Sequence, residues 1–186
     1  MITGNNSKFS EFSVYFPGLT MLNCDLPEIQ ELDIVKVIEA KLSTARQFAR
    51  TDAIFVEDTS LHLACLNGYP GPLIKWTLQA IGLEGLHRIC ALHGNTAATA
   101  TCTLGLSDPA STNPVYFSAS LHGTIVPPAG KAGFGWDAIF QPDGETKTLA
   151  ELKESAGTVT MRSKVATQAR SWISGQTRDR KDESCA

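Results

Sequence analysis

The chain has 186 residues, enough for one domain with a sizeable core, and its 42% hydrophobic, 19% charged composition excludes a chain disordered throughout. A net charge of −3 and a pI near 5.8 argue against non-specific binding to duplex nucleic acid, but leave room for one nucleotide held by a few local cations. No apolar run approaches the ~18 residues a membrane span needs, no secretory signal is visible, and Cys24, Cys65, Cys90, Cys102 and Cys185 form no C-x-x-C pair, so reduced thiols in a cytoplasmic protein are expected.

Thr3 to Lys8 opens the chain after only Met1 and Ile2, and Ser7 starts a helical stretch to about Phe16, with Phe9, Phe12 and Phe16 on one face. Thr20 to Cys24 reads as a strand. Asp33 is a candidate N-cap for a helix reaching about Arg50, because Ile34, Ile38, Leu42, Ala45 and Ala49 recur at helical spacing. Ala53 to Val56 and Ser60 to Leu66 read as two short strands separated by Glu57-Asp58. Leu73 to Leu92 holds two helical pieces split near Gly82. Thr96 to Leu106 and Val115 to Ile125 alternate apolar and polar residues around the loop 108–114, which predicts an antiparallel ribbon with one solvated face. The loop Gly130 to Gly135 leads into a predicted strand Trp136 to Phe140. Thr148 to Glu151 has capping-box spacing, and a last amphipathic helix spans about Ser163 to Ile173. Residues 1–175 are expected to form one domain, followed by a polar, disordered tail at 176–186. The pattern is α/β with a mixed sheet, not a strict βαβ alternation.

Four segments carry candidate chemistry. Thr3-Gly4-Asn5-Asn6-Ser7-Lys8 can turn successive N–H groups toward an anion, aided by the positive end of the following helix and by the Lys8 cation. It lacks the second glycine of a Walker A loop. Its bland alternative is a solvated turn. Glu57-Asp58-Thr59 after a buried strand offers hard oxygen ligands for Mg²⁺ and a base for an attacking water. Glu28, Glu31 and Asp33 form a second acidic group that could supply another ligand, though alone such a group is more often an exposed helix start. Gly133-Phe134-Gly135-Trp136-Asp137 could stack on a base and accept a ring N–H, or could simply be a strand entering the core. Lys75, just inside a helix after Pro70-Gly71-Pro72, opposes the helix dipole, a cost an anionic partner would offset. The histidines His62, His87, His93 and His122 show no H-x-x-x-H spacing, and there is no G-x-S-x-G elbow.

The order of these segments adds what no single one supplies. Thr3-Gly4-Asn5-x-x-Lys8, Asp25 to Gln30, Val56-Glu57-Asp58-Thr59, Asn67 to Pro72 with Lys75-Trp76, Phe134 to Asp137 and Gln141 to Gly144 together resemble the inosine triphosphate pyrophosphatase family, in its eukaryotic branch. The resemblance runs from residue 1 to about residue 173. It implies an elongated α/β fold with a mixed, largely antiparallel sheet, and two lobes enclosing the active-site cleft. It implies hydrolysis of ITP, dITP and XTP to the monophosphate and pyrophosphate, with Mg²⁺ (or Mn²⁺) as metal, in a cytoplasmic homodimer without nucleic-acid or membrane partners. Carried over by position, Thr3, Gly4, Asn5, Asn6, Ser7, Lys8, Lys36 and Lys75 would hold the triphosphate. Glu28 and Asp58 would bind the metal, with Asp58 also activating water. Thr59 would contact substrate, and Phe134, Gly135, Trp136, Asp137 and Arg162 would hold the base.

Three departures from the family pattern stand out. Only Met1 and Ile2 precede the Thr-Gly-Asn where the family has a full first strand. The family's late Ser-His-Arg is Thr160-Met161-Arg162 here. The lysine expected before it is Ala156, with Lys153 the nearest substitute. Two other readings remain: a nucleotide-binding protein with weakened turnover, and a related pyrophosphatase with another base preference.

Overall fold

The computed structural model describes residues 1–183 except Ala110, Thr112 and Ala156. Five helices are seen: α1 Asn6–Ser13, α2 Ile34–Ala45, α3 Ile74–Leu92, α4 Leu149–Leu152 and α5 Met161–Glu183. Five strands, β1 Ile54–Leu63, β2 Pro70–Gly71, β3 Ala97–Ser107, β4 Val115–Ile125 and β5 Phe140–Pro142, form one antiparallel sheet in the order β2-β1-β3-β4-β5.

The sheet is the frame of the site. β1 pairs with β3 along its whole length, from Ile54 opposite Ser107 to Leu63 opposite Ala98. Successive side chains of a strand point to opposite faces. Ile54 and Val56 therefore join Ile38, Leu42 and Ala45 of α2 on one face, while Phe55, Leu61 and Leu63 join the larger core with α1, α3 and α5 on the other. A Cβ at Gly105 would run into Ile38, so glycine there lets α2 lie close to β3.

Several expected elements hold. Asp33 caps α2 by accepting from the Val35 N–H, and the Thr148/Glu151 capping box opens α4. Gly82, at φ 68° and ψ −178°, breaks α3 where two helical pieces were expected. The β3–β4 ribbon pairs as an antiparallel hairpin, the Ala110 and Thr112 of its connecting loop lying outside the described residues.

Other boundaries differ. The two short strands expected around Glu57-Asp58 are one continuous β1, because the acids pair with Leu104 and Thr103 of β3 as the apolar residues do. Polar residues read as a break whose charges are in fact neutralised by tertiary partners. Thr20 to Cys24 supplies only a parallel bridge from Leu22 to Ile2. The strand expected at Trp136 begins at Phe140, after a 3-10 turn at Asp137–Ile139. The last helix starts at Met161 and continues past Ile173 to Glu183, where the sequence suggested a loose tail; residues 184–186 lie outside the described residues.

Met1 and Ile2 lie between Leu22 and the edge of β1. The Ile2 N–H donates to Phe55 O at 3.0 Å, the Leu22 N–H to Met1 O at 2.9 Å and the Thr3 N–H to Leu22 O at 3.2 Å. The next loop is thereby tied to the edge of β1 facing away from β3.

Candidate active site

A cavity of about 770 Å³ opens at that edge, within the range of small-molecule sites. Its wall runs through Thr3 to Asn6 and Lys8, then Glu28 and Lys41, then Glu57 to Thr59. Lys75 and Trp76 of α3, Phe134 to Asp137, and Met161 with Arg162 complete it.

At the cradle, Asn5 caps α1 by accepting the Lys8 N–H at 3.0 Å, and Thr3 Oγ1 accepts the Asn5 N–H at 3.1 Å. A Cβ at Gly4 would meet the Asp25 carboxylate, which would have to swing away to admit it. Ser7 faces a neighbouring cavity of about 630 Å³ instead, which Asn6 and Phe134 also border.

Because they are consecutive in β1, Glu57 and Asp58 point to opposite faces of the sheet. Lys8 reaches around the edge to both, 2.8 Å from Glu57 Oε2 and 3.9 Å from Asp58 Oδ1. Glu57 Oε2 is buried and accepts no hydrogen bond, so its contact with Lys8 is an ion pair without hydrogen-bond geometry. On the α5 face, Arg162 Nε donates to Glu57 Oε1 at 3.1 Å, and Cys102 Sγ lies 3.3 Å from the same oxygen. Burial alone would push the Glu57 carboxyl up, but Lys8 and Arg162 outweigh it and hold it down to about 2. Burial and the neighbouring Glu57 carboxylate raise the Cys102 thiol well above its ordinary value.

On the α2 face, Lys41 Nζ sits between Asp58 Oδ2 at 3.1 Å and Glu28 Oε1 at 3.2 Å. Lys75 Nζ takes the other Glu28 oxygen at 3.1 Å. Burial would lower the Lys41 ammonium, yet Asp58 and Glu28 raise it, so this 5%-exposed lysine stays charged. Burial would likewise raise the Glu28 carboxyl, but Lys41 and Lys75 bring it below its ordinary value. Asp58 Oδ1 also accepts the Thr59 N–H at 2.9 Å.

At the far end, Asp137 Oδ2 accepts the Phe134 N–H at 2.9 Å and pairs with Lys153 Nζ at 3.0 Å. Arg162 lies 4.6 Å and Lys153 5.4 Å from the Phe134 ring centroid, and both cations also pair with Glu11. Positive φ at Gly133 (82°) and Gly135 (65°) bends the chain into this arrangement. Trp136, expected beside the base, is 5% exposed and packs edge-on against Phe140, so most of it belongs to the core.

The structure thus gathers Thr3, Gly4, Asn5, Asn6, Lys8, Glu28, Asp58, Thr59, Lys75, Phe134, Gly135, Trp136, Asp137 and Arg162 around one cavity. Lys36 is not among them. It lies on the solvent side of α2 and pairs with Glu31 at 3.4 Å. Glu31 itself accepts the Leu32 and Asp33 N–H groups, so it and Asp33 serve the helix start. The residue missed in favour of Lys36 is Lys41. Its signal was present: Lys41 falls three residues after Ile38 and seven after Ile34, on the apolar face of α2, where a lysine needs a charged partner. Ala156 lies outside the described residues, and Lys153 is the lysine found beside Phe134 and Asp137.

Among the described residues no group of three or more His, Cys, Asp or Glu side chains is arranged to hold a metal, and no helix is long and apolar enough to cross a membrane.

The Ham1 family model matches residues 1–172. The chain is similar to the inosine triphosphate pyrophosphatase of Batrachochytrium dendrobatidis, with 42% identity over 81% of this chain and 80% of that protein. Its identity to the enzyme of the same name from Yarrowia lipolytica is 39%, over 82% of each chain. In fold it resembles the Ham1 proteins of Staphylococcus aureus (TM-score 0.77, 22% identity) and Coxiella burnetii (TM-score 0.73, 21% identity), each over 94% of this chain and 98% of the other.

Proposed function

The chain belongs to the Ham1 family, and from that premise we propose that it hydrolyses ITP, dITP and XTP to the nucleoside monophosphate and pyrophosphate. The observation that carries the reading is the alternation of charge in the cavity, where Lys8, Lys41 and Lys75 each pair with a carboxylate. Three lysines facing one space suit a triphosphate, and the carboxylates they leave on binding it suit a divalent cation and a proton acceptor. Relatives that share 42% and 39% of their aligned residues carry the name inosine triphosphate pyrophosphatase.

Glu28 and Asp58 fit Mg²⁺ (or Mn²⁺) by the chemistry of their donors, hard carboxylate oxygens. Their shared contact with the Lys41 ammonium means both can face a single cation. When bound, the metal would neutralise triphosphate charge. Asp58 takes the proton of the attacking water, and the bond between the α- and β-phosphates breaks. Lys8 and Lys75 hold the phosphates, while the N–H groups of the Thr3–Lys8 turn fix their position. Phe134 stacks on the purine. Lys153 and Arg162, next to that ring, are donors that favour a 6-oxo group over the 6-amino group of adenine. We further propose a homodimer working in the cytoplasm, without nucleic-acid or membrane partners; light scattering at micromolar concentration reads the assembly.

Product analysis tests the reaction. Incubation with ITP and Mg²⁺ is expected to yield IMP and pyrophosphate in equal amounts. Stepwise release of inorganic phosphate through IDP, or binding of ITP without turnover, would overturn the reading.

A further inference from the structure

Away from the charged cavity, two sulfurs face each other. Cys65, in the 3-10 turn Ala64–Leu66 that follows β1, is half-buried, and its Sγ lies 3.7 Å from Sγ of the fully buried Cys90 on α3. A metal is a poor explanation, since no third ligand of the His, Cys, Asp or Glu type gathers with them among the described residues. The pair also spans a functional segment. Between Cys65 and Cys90 lie Pro72, Ile74, Lys75, Trp76 and Leu78, which wall the cavity, and then the break in α3 at Gly82.

We propose that Cys65 and Cys90 are an oxidative modification site, which a peroxide converts to an intramolecular disulfide that ties the turn after β1 to the second half of α3. The sulfurs need only close from 3.7 Å to about 2.0 Å. Cys90 is fully buried, so the half-buried Cys65 meets the oxidant first. The Cys65 sulfur attacks the peroxide O–O bond, which breaks to give a sulfenic acid and one water. The Cys90 sulfur then attacks that sulfur, the S–O bond breaks, and a second water leaves with the remaining thiol proton. Two thiols and one hydrogen peroxide thus give one disulfide and two waters, each sulfur losing one electron. The bond closes a loop across 25 positions that contains the Lys75–Trp76 wall, and so restricts the unfolded chain and steadies that wall.

The test uses the full-length protein and needs no nucleotide turnover, so it stands or falls apart from the proposed reaction. After hydrogen peroxide treatment and alkylation, digestion without reductant is expected to give one linked peptide pair containing Cys65 and Cys90, lighter by about 2 Da than the two reduced peptides. The thermal midpoint is expected to rise by roughly 5 °C and to fall back with dithiothreitol. Cys24→Ser should keep both effects, and Cys65→Ser and Cys65→Ala should lose both. Recovery of Cys65 and Cys90 as separate alkylated residues, or of Cys65 as sulfinic acid with no linked pair, would overturn the proposal.

Discussion

The two ends of the cavity are built differently. The end proposed to take the phosphates rests on β1 and α2, where Glu57 and Asp58 are fixed by the ladder to β3 and their charges are met from both faces of the sheet by Lys8, Lys41 and Arg162. The end proposed to take the base rests on a glycine-bent loop and the residues after α4, with Phe134 and Asp137 held by Lys153 and Arg162. In the first, rigid backbone places buried charges, so removing one member leaves its partner uncompensated. In the second, the ring supplies contact area, and its loss weakens binding more than folding. Arg162 joins the two ends through Glu57 and the Phe134 ring.

Substitutions can break this contrast. The largest effect is expected for Asp58→Asn, which removes the proposed proton acceptor but keeps its shape: turnover should fall about a thousandfold while the circular dichroism spectrum is unchanged. Activity near that of the wild type would make the acidic pair structural. Next, Lys41→Met should lower kcat/KM by about a hundredfold, whereas Lys36→Met should stay within about twofold. Equal effects would undo the assignment of the two lysines to opposite faces of α2.

Acid titration probes the buried end without substrate. Glu57 is held down to about 2 in the folded chain, below its ordinary 4.5. Its contribution, a few kcal/mol, is therefore present above about pH 4.5 and lost as the pH falls toward 2. Denaturant melts of Glu57→Gln should show a flatter loss of stability over that window than the wild type. A parallel slope would mean the ion pairs with Lys8 and Arg162 do not hold in solution. The smallest effect is at the base end. Phe134→Ala should raise KM for ITP roughly tenfold with kcat within about threefold. An unchanged KM would take the ring out of the binding site.

Much of this was legible from residue order. The Asp33 cap, the Gly82 break, the β3–β4 ribbon and the capping box at α4 follow from local rules, because caps, kinks and alternation are set by neighbours in sequence. Glu57-Asp58 misled for a physical reason. Two acids look like a chain break until distant cations, Lys8 and Arg162 from opposite ends of the chain, allow them inside a strand. Lys41 was readable as a charge on an apolar helix face, yet its partners Glu28 and Asp58 come together only through the fold. The pairing of Lys153 with Asp137, like that of Cys65 with Cys90, depends on how loops pack and leaves no periodic trace.

Hydrolysis of ITP and XTP in preference to the canonical nucleotides is tested most directly by a nucleotide panel. Pyrophosphate release from ITP, XTP, ATP, GTP and dUTP, measured with and without Mg²⁺, is expected to be fastest for ITP and XTP and to require the metal. A preference for ATP or dUTP, or undiminished turnover in a metal chelator, would contradict it.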